Sequence, residues 1–236
     1  MNYWNAVTGE AQRVYDATMQ QSSGEVTLLR QAISLYAEAF AIANDPAEPK
    51  AATARKALVS HNFNTLNLAF DAALRGYYVQ SIALLRNIYE NWLASWYLAK
   101  YPEEANYWLN PSWKQRPPKA ETMRNKIEHP SKKAKSKLHE FYEELSRFEH
   151  TDPAAVLSRF EMVENKPVIR VGVRYDRDDF AACTYGLCLW AGNTLDTMAS
   201  IVPSGNKWHE KYAKLGNELV TYIEKYNKKH AGKDNV

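Results

Sequence analysis

Apolar side chains recur at intervals of three and four residues along most of this chain, and that spacing constrains the fold more than any other feature. Val26, Leu29, Ile33, Tyr36, Phe40 and Ala43 form one series. Leu138, Phe141, Leu145 and Phe148 form a second, and Trp208, Tyr212, Leu215, Leu219, Tyr222 and Tyr226 a third. At about 100° per residue each series lies on one face of an α-helix, and that face must be buried against a neighbour. The same reading predicts helices near 2–20, 25–44, 48–75, 77–100, 102–109, 119–128, 132–149, 153–159, 177–202 and 206–229. Asn44-Asp45-Pro46 and Pro102 close two of them, Asp152 and Pro153 open another, and Gly76 marks a bend between two long ones. A chain of 236 residues with short connections points to one helical domain over 1–236, its antiparallel bundle core at about 25–229.

One stretch departs from this pattern. In FEMVENKPVIRVGVRYD, residues 160–176, Ile169, Val171, Val173 and Tyr175 alternate with Arg170, Gly172 and Arg174. Period two in β-branched residues predicts a strand, and Glu164 to Pro167 reads as a turn. The expected fold class is therefore all-α, an antiparallel helical bundle with a small β-hairpin inserted near 160–175, before the last two helices.

Charge and cysteine content exclude some functions. A net charge of +3 is too small to announce a nucleic-acid-binding protein on its own. Cys183 and Cys188 are the two cysteines. Five residues apart on a helix, they lie about 140° apart around its axis and are read as buried free thiols. Their scarcity fits a reducing cytoplasm, and the start of the chain has no basic-then-apolar leader pattern. The apolar run 180–202 is long enough to span a bilayer, but it carries Asn193 and Asp196 and reads as a central buried helix, so no membrane association is expected. There is no glycine loop for phosphates, no Gly-x-Ser-x-Gly elbow, no His-Glu-x-x-His and no cysteine cluster. No metal or cofactor is expected. His139 and Glu143 share a helix face, but two ligands do not make a metal site, and the pair reads as solvated.

The polar residues that stand out are on the fourth helix. Arg86 falls inside the arc formed by Ile82, Leu85, Tyr89, Leu93, Trp96 and Tyr97, with Glu90 one turn away at its edge. A guanidinium there needs partners for five donors, of which Glu90 satisfies two. Two readings stay open: a buried ion pair that fixes helix register, or an anchor for a small anionic ligand.

Two resemblances add expectations. The run RNKIEH, Arg124 to His129, resembles the signature of the HEPN superfamily (higher eukaryotes and prokaryotes nucleotide-binding). Its members are helical bundles, and many are metal-independent RNases of toxin and phage-defence systems, with arginine and histidine brought together at a dimer interface. The resemblance implies that Arg124 binds phosphate, Asn125 assists and His129 acts as acid or base. A second arginine–histidine pair, Arg55 and His61, falls on a polar face. Residues 69–98, together with the helix ending ELSRFEH, resemble an uncharacterised bacterial all-helical family with an L-R-x-x-x-E core and a later histidine. That resemblance implies that Arg86, Glu90 and His150 meet in the bundle.

Partners follow from the same residues. Arg116, Lys119, Arg124 and Lys126, continued by the lysines of 132–137, make the best RNA footprint in the chain. Trp92, Trp96, Tyr97 and Trp108 exceed what one core is expected to cover, which predicts a homodimer. Three functional readings result: RNA binding or metal-independent RNA cleavage, a non-catalytic helical binding or regulatory module, and a small-anion-binding bundle anchored by Arg86.

Overall fold

A computed structural model of the chain describes residues 3–43, 49–110, 116–128, 137–149, 160–169 and 172–231. It is an all-α bundle with one two-stranded hairpin. The helices are α1 (Tyr3–Gln21), α2 (Ser23–Ile42), α3 (Lys50–Leu74), α4 (Tyr78–Lys100), a 3-10 turn (Pro102–Ala105) leading into the short α5 (Asn106–Leu109), α6 (Ala120–Glu128) and α7 (Lys137–Glu149). Strands β1 (Phe160–Val163) and β2 (Lys166–Ile169) precede α8 (Arg177–Ala199) and α9 (Trp208–His230). The expected helix at 153–159 and the start of the one expected from 132 lie outside the described residues, as does the cap expected at Asp152.

Helices α3 and α4 form the central antiparallel pair. The side-chain amide of Asn62 donates to the Ile88 carbonyl at 3.0 Å, while Ala54 packs with Leu98 further along, so one residue number rises as the other falls. The turn between them depends on Gly76, whose φ is +81°. A Cβ there would stand 2.6 Å from the Arg174 carbonyl oxygen, so only glycine lets the backbone pass.

Helix α8 is the buried spine, packed against α2, α3, α4 and α9. Thirteen of its 23 residues are buried, which is why the segment reads as hydrophobic enough to need a membrane check. No helix among the described residues is long and apolar enough to cross a membrane. The Asp176 carboxylate caps α8 by accepting from the Asp178 and Asp179 amides, both at 3.0 Å. At the far side Trp208, fully buried, donates its indole N–H to the Leu35 carbonyl at 2.8 Å and pins α9 to α2. Burying such a side chain stabilises the fold by about 2–3 kcal/mol. Cys183 and Cys188 are both buried and unbridged.

Two expectations change. The alternation over 169–175 does not continue as a strand: pairing ends at Ile169, and 173–176 is irregular. Val173 instead buries itself against Ala11 and Val14 of α1. The β-branched pattern marked burial there, not a sheet. The hairpin turn is Glu164–Asn165, both with positive φ, the first two of the four residues the sequence implies. Of the four aromatic residues singled out, Trp92, Trp96 and Trp108 remain partly exposed. Tyr97 is fully buried, and Trp92 lies 5.2 Å from Trp96 and 5.5 Å from the buried Trp190.

Candidate functional site

Helices α6 and α7 both dock on α4 and leave a cleft between them. Met123 and Ile127, four apart and each buried, seat α6. Its C-terminal carbonyls are held by α4 and its exit: Lys100 donates to the Ile127 carbonyl at 3.2 Å and Tyr101 to that of Lys126 at 3.3 Å. The Lys126 ammonium donates to the Tyr97 hydroxyl at 2.7 Å and pairs with Glu104 at 3.0 Å. On α7, Leu145 is buried and Tyr142 lies one turn before it on the same face, its ring 5.6 Å from that of buried Tyr89.

This docking places Arg124, next to Met123, at the cleft floor with only 4% of its surface exposed. Its guanidinium carbon lies 4.7 Å from the centre of the Tyr142 ring. One Nη lies 3.1 Å from His139 Nδ1, and His139 Nε2 lies 3.1 Å from a Glu143 oxygen. Since an arginine can only donate, His139 accepts at Nδ1 and carries its proton at Nε2, toward Glu143. The other Nη of Arg124 is buried and has no acceptor among the described residues. Leaving such a donor unmet costs on the order of 1–3 kcal/mol.

Arg86 reaches the same ring. It donates to the Tyr142 hydroxyl at 2.7 Å and pairs through Nε with Glu90 at 3.2 Å, and its guanidinium carbon is 4.9 Å from the ring centre. Its side chain is 17% exposed. Tyr142 thus joins the two arginines singled out in the sequence, although they come from different helices. The cleft has a volume of about 980 Å³ and is bordered by Glu90, Arg124, His139, Tyr142 and Glu143. That is the upper end of the range of small-molecule pockets.

The other sequence-derived candidates separate from this cluster. Asn125 is exposed and does not border the cleft, so it is not part of the site. His129 and His150 lie outside the described residues. Within the positive stretch, Arg124 is buried, while Lys126 pairs with Tyr97 and Glu104. Arg55 donates to Ser200 at 2.7 Å and His61 contacts Asn87 at 3.0 Å, so that pair points to different neighbours. His139 and Glu143 do pair, but they are not merely solvated, because His139 also meets Arg124. Tyr142 was not singled out by any sequence signal. Its one hint is its place one turn before Leu145.

Among the described residues no group of three or more His, Cys, Asp or Glu side chains is arranged to hold a metal ion. No family model, curated protein or solved structure matches the chain.

Proposed function

We propose that the cleft between α4, α6 and α7 is the binding site for a phosphate-bearing ligand, with Arg124 as its anchor. The observation that carries this is the Arg124 guanidinium: buried, stacked on Tyr142, and left with one Nη that no described residue satisfies. A phosphate oxygen supplies the missing acceptor, and the fork of N–H donors suits it. The anion takes the place of His139 Nδ1 at Arg124; the His139 side chain is one-third exposed. Arg86, already engaged by Glu90 and Tyr142, holds the ring in position. The test is calorimetric titration of inorganic phosphate into the full chain and into Arg124→Met. Saturable binding that the variant loses, while it stays folded by circular dichroism, supports the reading. Equal binding by both ends it.

A second reading is favoured by one contact, that of Arg124 with His139. It is HEPN-like, metal-independent RNA cleavage in which His139 does the work first expected of His129. Arg124 would hold the scissile phosphate. The imidazole would take the proton of the 2′-hydroxyl as its oxygen bonds to phosphorus, and would return that same proton to the 5′-oxygen as the P–O5′ bond breaks, leaving a 2′,3′-cyclic phosphate. Incubation with RNA in the presence of chelator tests it: cleavage lost in His139→Ala supports this reading, and no cleavage by the wild type removes it.

A further inference from the structure

Beyond the arginine anchor, the cleft lining includes an apolar set: Ala94 of α4, Trp108 of α5, Met123 of α6 and the Pro117–Pro118 segment that leads into α6. Trp108 is half-buried, packed 6.4 Å from the Tyr97 ring and open in part to the cleft. Helix α7 contributes His139, Tyr142 and Glu143 to the lining. The charges that border the space are balanced, with Glu90, Glu121 and Glu143 against Lys119, Arg124 and Arg147. A strand of many phosphates gains little from such a lining, because each further negative charge meets a carboxylate as readily as a cation. The volume, about 980 Å³, also far exceeds what one phosphate group fills. An indole beside an alanine, a methionine and two prolines is a surface for a flat apolar body.

We infer that the ligand of this cleft is an amphipathic monophosphate, with a planar aromatic body against Trp108 and a single phosphate head at Arg124. This rests on the phosphate-site reading and narrows it. The body gives its affinity by displacing water from the Trp108 wall. The head gives orientation, because only the Arg124 end of the cleft offers a buried donor with no partner among the described residues.

The experiment uses 2-naphthyl phosphate and inorganic phosphate as probes, titrated separately into the full chain. The expected result is that 2-naphthyl phosphate binds about tenfold more tightly or better, since ring stacking and apolar burial together exceed one factor of ten. Trp108→Ala is expected to abolish that difference and leave the affinity for inorganic phosphate unchanged. Because Trp108 also packs against the Ala54, Leu98 and Ala105 cluster, saturation-transfer NMR on the wild-type chain provides a measurement that needs no variant. There the naphthyl protons should receive more saturation than those of a non-aromatic alkyl phosphate. Equal wild-type affinities for the two probes overturn the aromatic body and leave the phosphate site standing. Binding of neither probe, or equal binding of both to Arg124→Met, overturns the phosphate site and this inference with it.

Discussion

Arg124 and His139 face each other across 3.1 Å from two helices that are separate in the chain and meet only because both dock on α4. The contact fixes a proton. His139 must be unprotonated at Nδ1 to accept from a guanidinium, and its remaining N–H is directed to Glu143. In the binding reading, an incoming anion takes the place of His139 at Arg124.

Replacing His139 by alanine separates the two functional readings. If the cleft is a binding site, His139→Ala removes the competing acceptor, and affinity for phosphate stays the same or rises by up to about tenfold. If the cleft cuts RNA, the same change abolishes cleavage. Calorimetry and a gel assay on one preparation give both answers.

Tyr142 should matter through its ring more than through its hydroxyl. Tyr142→Phe keeps the surface on which Arg124 lies and loses the 2.7 Å bond from Arg86, with an expected cost of about 1 kcal/mol in stability. Tyr142→Leu also removes both guanidinium contacts and the packing on Tyr89, and should cost about 2–3 kcal/mol. Urea midpoints rank the two, and a reversed order contradicts the stacking account.

The bend at Gly76 sets a third expectation. Alanine there meets a left-handed backbone conformation and the Arg174 carbonyl, so Gly76→Ala should lower stability by about 2 kcal/mol or more. Thermal melting measures it, and an unchanged midpoint contradicts the close approach.

Alkaline pH should destabilise the bundle through its core thiols. Burial pushes the Cys183 thiol up from 9.0 to about 12, and pushes Cys188 in the same direction. The unfolded thiol loses its proton first, so between about pH 9 and about pH 12 the native state holds more protons and stability falls as pH rises. Below that window the contribution is fully present and flat. Urea melts across the window should show the fall, and Cys183→Ala should lessen it. A wild-type midpoint that does not move with pH contradicts the burial assigned to these thiols.

The sequence disclosed what is local. The stripe of Leu215 and Leu219 and the Arg86–Glu90 pair both depend on residues within one or two turns, and spacing alone finds them. Helical spacing puts Arg86 among apolar neighbours, where its side chain is largely buried. It did not find Tyr142 as the partner, because that contact bridges 56 residues. Arg124 was found for a motif whose histidine lies five residues on. The histidine it meets lies fifteen residues on, in the next helix, where only docking on α4 brings it near. The second strand is shorter than the alternation implies for a related reason. Val173 has the β-branched character of a strand residue, but what it satisfies is burial against α1.

The most direct test of the central claim is the side-chain NMR signal of Arg124 itself. In a 15N-arginine sample, its Nε–H resonance is assigned by its loss in Arg124→Met. Titration with 2-naphthyl phosphate is expected to shift that resonance saturably, ahead of the resonances of Arg30 and Arg177, which border other pockets. A resonance that stays fixed while phosphate binds elsewhere on the protein would contradict the account.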